Sequence, residues 1–242
     1  SYLVFLRQQG GALHLAVSNA RSIVAADADS VAHVRALLAA PNAVATSVTL
    51  VAALQSSSAR VRADAATSLP RLPDLESLPA AARPRIVDAL QRHIGTGDSA
   101  VPGLLGAVRR LRLTSATEPL VSAYLRGDCD DVERMVLDVV PTLDQPAAAR
   151  AIARALPDDA PGRGRAADLL VRLGTTESIS PLRTLVQTGT DTAAVRAGVA
   201  LHARPTQRTW LNDNCTPTLM DAVRAERSAP PRFRSILRGP RR

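Results

Sequence analysis

Along most of the chain, apolar residues recur at helical spacing in short runs that stop at glycine, proline or small polar residues. Val101-Pro102-Gly103-Leu104-Leu105-Gly106-Ala107-Val108 and Val132-Glu133-Arg134-Met135-Val136-Leu137 are two such runs. A stripe of this kind lets one face of a helix enter a core. The breaks carry their own signals. Gly95-Thr96-Gly97 precedes Asp98-Ser99, Gly127 precedes Asp128, and Gly174-Thr175-Thr176 precedes Glu177. Glycine just past one helix followed by Asp, Ser or Thr at the next cap marks a stop and a start. The pattern predicts first helices over about 80–94, 116–126, 146–156 and 176–187, and second helices over about 98–113, 130–142, 161–173 and 191–203. An earlier hairpin is expected at 42–55 and 59–69.

Self-comparison adds a period. Arg134, Arg165 and Arg196 stand 31 residues apart in runs of similar shape, Gly103 falls one period earlier, and Pro119 and Pro181 are two periods apart. Proline in a first helical turn sacrifices no hydrogen bond. A fixed period of this length signals stacked hairpins, each unable to bury its apolar face alone. Arg62 lies 41 residues before Gly103, and the excess sits in Pro70-Arg71-Leu72-Pro73-Asp74-Leu75-Glu76-Ser77-Leu78-Pro79. This Pro-punctuated insertion is expected to project as a loop.

Hairpins of about 31 residues whose second helix begins Val61-Arg62-Ala63-Asp64-Ala65-Ala66-Thr67-Ser68-Leu69 resemble HEAT repeats, in particular the short bacterial form named after phycobilisome-lyase subunits. The resemblance covers about residues 30 to 205. It departs from the pattern at Gly103, where the family has Arg, and at Gly162 and Gly164. It implies an all-α fold: an α-solenoid, a right-handed superhelix of five or six antiparallel hairpins. The family hosts scaffolds, enzyme partners and a few enzymes, so the resemblance specifies fold better than function.

Composition agrees with stacked helices. The chain of 242 residues is 46% hydrophobic but 2% aromatic, so Ala, Leu and Val must form the core. All 30 basic residues are arginine, and the net charge is +8. Residues 224–242 carry seven arginines against Glu226, or +6, so the rest is nearly neutral. The chain divides into an N-terminal segment (1–29), a HEAT-like body (30–223) and a basic tail (224–242). Tyr2-Leu3-Val4-Phe5-Leu6 followed by Arg7 admits three readings: a strand, a packed helix, or the stub of a membrane span whose missing part precedes Ser1. No internal stretch has the 18 apolar residues of a span. Cys129 and Cys215, 86 positions apart, fit neither a disulfide framework nor a zinc site, and buried thiols in a reducing, cytoplasmic setting are expected.

No catalytic constellation stands out. His14, His33, His93 and His202 are scattered, and no HExxH, GxSxG or Walker pattern occurs. Gly162-Arg163-Gly164 follows no strand and is a weak phosphate signal. Asp128, Asp130, Asp131 and Glu133 resemble a cation cluster but lack calcium-loop spacing, and a helix N-terminus accounts for them. A HEAT-like DNA glycosylase would need electron-rich rings around a cationic base. Tyr124 and Trp210 are the sole aromatics between residues 6 and 232, which leaves Trp210 and Asp213 as its only candidates. Trp210 is expected beside a turn, closing the end of the core.

The expectation is therefore a non-catalytic scaffold or adaptor, binding a protein partner along a concave face of second helices around Arg62, Arg109, Arg134, Arg165 and Arg196. No metal, cofactor or small-molecule substrate is implied. The tail residues Arg224, Arg227, Arg232, Phe233, Arg234, Arg238, Arg241 and Arg242 form an accessory contact, with Phe233, Ile236 and Leu237 at helical spacing. Two alternatives belong to other classes: nucleic-acid or acidic-membrane binding through the tail, and the soluble domain of a membrane-tethered protein.

Overall fold

The computed structural model describes residues 42–228, the strands Phe5–Gln9 and Ala12–Ala16, and residues 32, 36, 37 and 40. The two strands, β1 (Phe5–Gln9) and β2 (Ala12–Ala16), pair antiparallel with Phe5 opposite Ala16 and Arg7 opposite His14. Part of the segment 1–29 is thus strand, one of the three readings its sequence admits. Everything else regular among the described residues is helical, in keeping with an all-α body.

The α-helices are α1 (Ala43–Ala53), α2 (Ala59–Ser68), α3 (Arg83–His93), α4 (Val101–Leu111), α5 (Thr117–Arg126) and α6 (Glu133–Val139). They continue with α7 (Gln145–Arg154), α8 (Ala160–Leu173), α9 (Ile179–Gln187), α10 (Thr192–His202), α11 (Pro205–Asn214) and α12 (Pro217–Ser228). Local chemistry sets their ends. Asn42, Asp144, Asp159 and Asp191 each accept a backbone N–H in the first turn of the helix they precede, which satisfies donors that have no partner inside the helix. Gly174 ends α8 in the left-handed conformation, φ +63°, which costs glycine nothing.

The helices form two compact units, Ser1–Ala123 with Asp128–Leu143, and Tyr124–Gly127 with Asp144–Arg242. In the first, α1 packs on α2 and α3 on α4, while α2, α4 and α6 stack in turn. In the second, α9 packs on α10 and α11 on α10, α7 lies against α8 and α9, and α8, α10 and α12 stack. Small and aliphatic side chains fill both, among them Ala65, Ala66, Leu104, Leu105, Leu169, Leu170 and Leu201, each at most 0% exposed. The close approach this permits is visible at Gly103: a Cβ there would overlap the Ala66 backbone. An arginine, expected here from the resemblance to HEAT repeats, cannot stand at this position, because α4 crosses α2 backbone to backbone.

The insertion does not project. Its leucines turn inward, with Leu69, Leu72, Leu75 and Leu78 all buried, and short 3-10 turns at Leu69–Arg71 and Leu75–Ser77 pack on α4. The leucines recur every third residue, the period of a 3-10 helix. Arg110 of α4 then gathers the segment's polar groups, donating to the Pro70, Leu72 and Pro73 carbonyls and to both Glu76 carboxylate oxygens. The Arg110 hydrogen bonds hold the Glu76 carboxyl below its usual range. A buried anchor every third residue and one five-donor guanidinium convert an expected loop into a packed layer.

Candidate functional site

The arginines expected along a partner-binding face divide into two groups. Arg62 donates to Asp98 from Nε at 3.0 Å and Nη2 at 2.6 Å, and from Nη1 to the Ser56 and Ser57 carbonyls beyond α1, at 2.8 Å each. Arg165 gives Nε and Nη2 to the Leu125 carbonyl at the end of α5. Arg196 donates Nη1 to both oxygens of Asp168. These three brace one helix to another. Arg109 and Arg134 are exposed. The 31-residue register therefore does not set Arg134, Arg165 and Arg196 in equivalent surroundings.

Sequence reasoning missed the most deeply buried brace. Arg163 is buried and donates to Asp191 at 2.9 Å, to Thr188 Oγ1 at 2.8 Å and to the Leu185 carbonyl at 3.0 Å. It is the fourth residue of α8, as Arg62 is of α2. In both cases the accepting aspartate also receives a backbone N–H at a helix start, Ala100 for Asp98 and Ala194 for Asp191. Burial works most strongly against ionising each of these aspartates, but the backbone N–H, the arginine bond and the arginine charge outweigh it and hold both carboxyls below their usual range. The available signal was Asp159: as the cap of α8 it makes Arg163, four residues on, the counterpart of Arg62 four after Ser58. His93 joins the first cluster, its Nδ1 3.2 Å from Asp98 Oδ2. Burial first, then the Arg62 charge, push its pKa down against the pull of Asp98.

The second unit presents a face that can be laid out residue by residue. Arg196 meets Asp168, and Arg204 donates to the Gly174 and Thr175 carbonyls just past α8. Two contacts advancing in the same direction show that α8 and α10 run parallel. A Cβ on Gly198 would lie 2.7 Å from Val223, and Arg227 Nη1 lies 3.2 Å from His202 Nε2. Both pairs are 25 residues apart, so α10 and α12 also run parallel. Asp168, Arg196 and Asp221 then form one row across three helices. One turn on, Val171, Val199 and Arg224 form the next. Val171 is 44% exposed, Val199 is half-buried, and Arg224 pairs with Asp221 at 2.9 Å.

The other sequence candidates fall elsewhere. Trp210 is inside α11, not beside a turn, and is half-buried with the Arg183 guanidinium 4.5 Å from its ring centroid. Arg183 also donates from Nε and Nη2 to the buried Gln207, so the ring that a glycosylase would turn to substrate meets an internal cation. Asp213 is exposed. Among the described residues, no three His, Cys, Asp or Glu side chains gather as a metal site, the 128–133 acids included. Cys129 is buried and Cys215 half-buried, neither is in a disulfide, and burial raises the Cys215 pKa. Of the tail, Arg224 and Arg227 lie in α12, whereas Arg232, Phe233, Arg234, Arg238, Arg241 and Arg242 lie outside the described residues, as do the side chains of His14 and His33. No described helix is long and apolar enough to cross a membrane. No family model matches the chain, and no curated protein matches it either.

Proposed function

We propose that the chain is a HEAT-like helical-repeat scaffold that binds a partner protein and catalyses no reaction. Its docking surface is the second-helix face of α8, α10 and α12. The observation that carries this reading is the pair of rows just described: a valine pair, Val171 and Val199, set beside the charged row Asp168, Arg196 and Asp221. With helix axes about 8–10 Å apart, three helices give a strip roughly 16–20 Å wide, the breadth of one helix or one extended segment of another protein. The apolar pair offers area to bury, while the partly exposed carboxylates fix the orientation of what lies on it.

The arginines serve this surface indirectly. Arg163, Arg165 and Arg196 tie neighbouring helices together, so the face is pre-formed and little ordering is needed when a partner arrives. A cytoplasmic location fits two cysteines that form no disulfide and belongs to the same proposal.

The test is affinity capture from native extract with the full chain and with a Val171→Glu, Val199→Glu variant, after nuclease treatment. Val171 is exposed and Val199 half-buried, so the melting temperature of the variant, and of Val171→Glu alone, is the control for folding. Loss of a defined partner by the folded variant supports the reading. A partner retained equally by both chains places the interface elsewhere and overturns it.

A further inference from the structure

The C-terminal end of α4 gathers arginines around one that is fully engaged. Arg110 directs its Nε and both Nη groups to the Pro70 carbonyl at 3.0 Å, the Pro73 carbonyl at 2.8 Å, the Leu72 carbonyl and both Glu76 oxygens. Pro70 and Leu72 flank Arg71, so the backbone of Arg71 lies against the last turn of α4, where Arg109 and Arg112 stand on either side of Arg110 in the chain. Arg83 closes the corner, donating Nη2 to the Glu76 carbonyl at 3.0 Å and Nε to the Leu78 carbonyl at 3.2 Å. Arg71, Arg109 and Arg112 are exposed, and among the described residues none of the three pairs with a carboxylate. Residues 69–83 and 109–112 contribute only two acids, Asp74 and Glu76, and Arg110 already holds Glu76. The end of α4 carries about half a negative charge, which offsets a small part of three guanidinium charges.

Arg112 supplies an independent sign. Its backbone is left-handed, φ +47° and ψ +50°, and among the described residues it is the one position with positive φ that is not glycine. Gly95, Gly97, Gly127 and Gly174 occupy the others. A residue with a Cβ is strained in this conformation, and glycine would end α4 without the strain. An exposed guanidinium carried on a strained backbone, with no bond inside the chain, points to a ligand outside it.

We propose that Arg71, Arg109 and Arg112 bind the phosphate backbone of nucleic acid at this end of the first unit. Guanidinium groups match phosphate oxygens two bonds at a time, and the bonds of Arg110 hold Arg71 beside α4 before a ligand arrives. An amphipathic partner or a lipid surface would need apolar area here. The large exposed hydrophobics among the described residues are Val44, Val48, Met135 and Val171, and none lies on α4 or between α2 and α3. Residues 69–113 contain no Phe, Tyr or Trp, so no ring stacks on a base and binding is independent of base sequence. The surface belongs to the first unit and the valine face to the second, so this inference does not rest on the scaffold reading.

The experiment is fluorescence anisotropy of a labelled mixed-sequence 20-base-pair DNA duplex with the full chain across a salt series. The parent is compared with an Arg71→Gln, Arg109→Gln pair, with Arg112→Gly, and with a charge-matched Arg150→Gln, Arg208→Gln pair at exposed positions of the second unit. The Arg71, Arg109 pair is expected to bind about tenfold more weakly at low salt, with a slope of log affinity against log salt shallower by roughly two. Arg112→Gly should bind about threefold more weakly, with a slope shallower by roughly one, yet melt no lower than the parent because it relieves the left-handed strain. A purely structural arginine would not weaken binding while stability holds. Unchanged affinity and slope in both first-unit variants, or an equal loss in the second-unit pair, overturns the proposal. Binding of a glutamate-rich peptide or of phosphatidylglycerol vesicles without duplex binding overturns it in favour of an acidic protein or a lipid surface.

Discussion

Arg163 and Asp191 lie 2.9 Å apart across α8 and α10, and the same carboxylate caps α10 through the Ala194 N–H. One side chain therefore starts a helix and ties it to its neighbour. Arg62 and Asp98 repeat the device between α2 and α4. A guanidinium can serve a carboxylate, a hydroxyl and a carbonyl at once because its five donors form a rigid fork, and an ammonium cannot span the three. That is a physical use for arginine in a chain without lysine.

Replacing Arg163 should therefore be costly whatever the charge of its substitute. Removal of one partner leaves the other polar groups unsatisfied in a buried setting, and Arg163→Ala is expected to lose about 3 kcal/mol. Arg163→Lys should recover less than half of this. Urea unfolding of the three chains followed by circular dichroism measures both, and full recovery by lysine would show that charge alone suffices.

Two glycines give opposite expectations. At Gly103 a Cβ meets the Ala66 backbone, so Gly103→Ala must push α4 from α2 and should cost about 2–3 kcal/mol. At Gly164, within α8, a Cβ meets nothing within 4 Å, and Gly164→Ala should stabilise by about 0.5–1 kcal/mol through lost freedom of the unfolded chain. Paired thermal melts give the signs directly.

Arg110 predicts a local effect rather than a global one. Its bonds run to Pro70, Leu72, Pro73 and Glu76, so Arg110→Ala should open the segment between α2 and α3 while α8–α12 stay folded. Limited trypsin digestion should then cut first after the exposed Arg71, and sooner than in the parent. Identical cleavage patterns would show that the buried leucines hold the segment unaided.

Acid should weaken the first unit in two stages. The folded His93 pKa is depressed below its ordinary 6.5, so its contribution is complete above that value and is lost as pH falls through the lower folded value. Asp98 in the same unit is depressed below 3.8, so its contribution persists to about pH 4 and disappears below it, as does that of the likewise depressed Asp191 in the second unit. His93→Gln should remove the upper stage and leave the lower. Stability measured by urea from pH 8 to 3 distinguishes the two, and a variant that still declines near pH 6 would assign that stage to another group.

Helix spacing, the caps and the absence of aromatic bulk fixed most helix positions in advance. Expected spans such as 59–69, 161–173 and 191–203 meet α2, α8 and α10 within a residue or two, because 3.6-residue periodicity, capping aspartates and glycine stops are local properties. The basic end of the chain was likewise visible as composition. Which arginine braces which helix was not, since partners 28 to 40 residues away depend on how the helices stack, and a 31-residue register singled out Arg165 and passed over the buried Arg163. The insertion at 70–79 misled for the same reason: prolines mark a break in local structure, but only packing against α4 shows that its leucines are core. The rows of Asp168, Arg196 and Asp221, and of Val171, Val199 and Arg224, exist because parallel helices align residues that the sequence keeps a full hairpin apart. Local chemistry determined the elements. Long-range packing decided which side chains remained for binding.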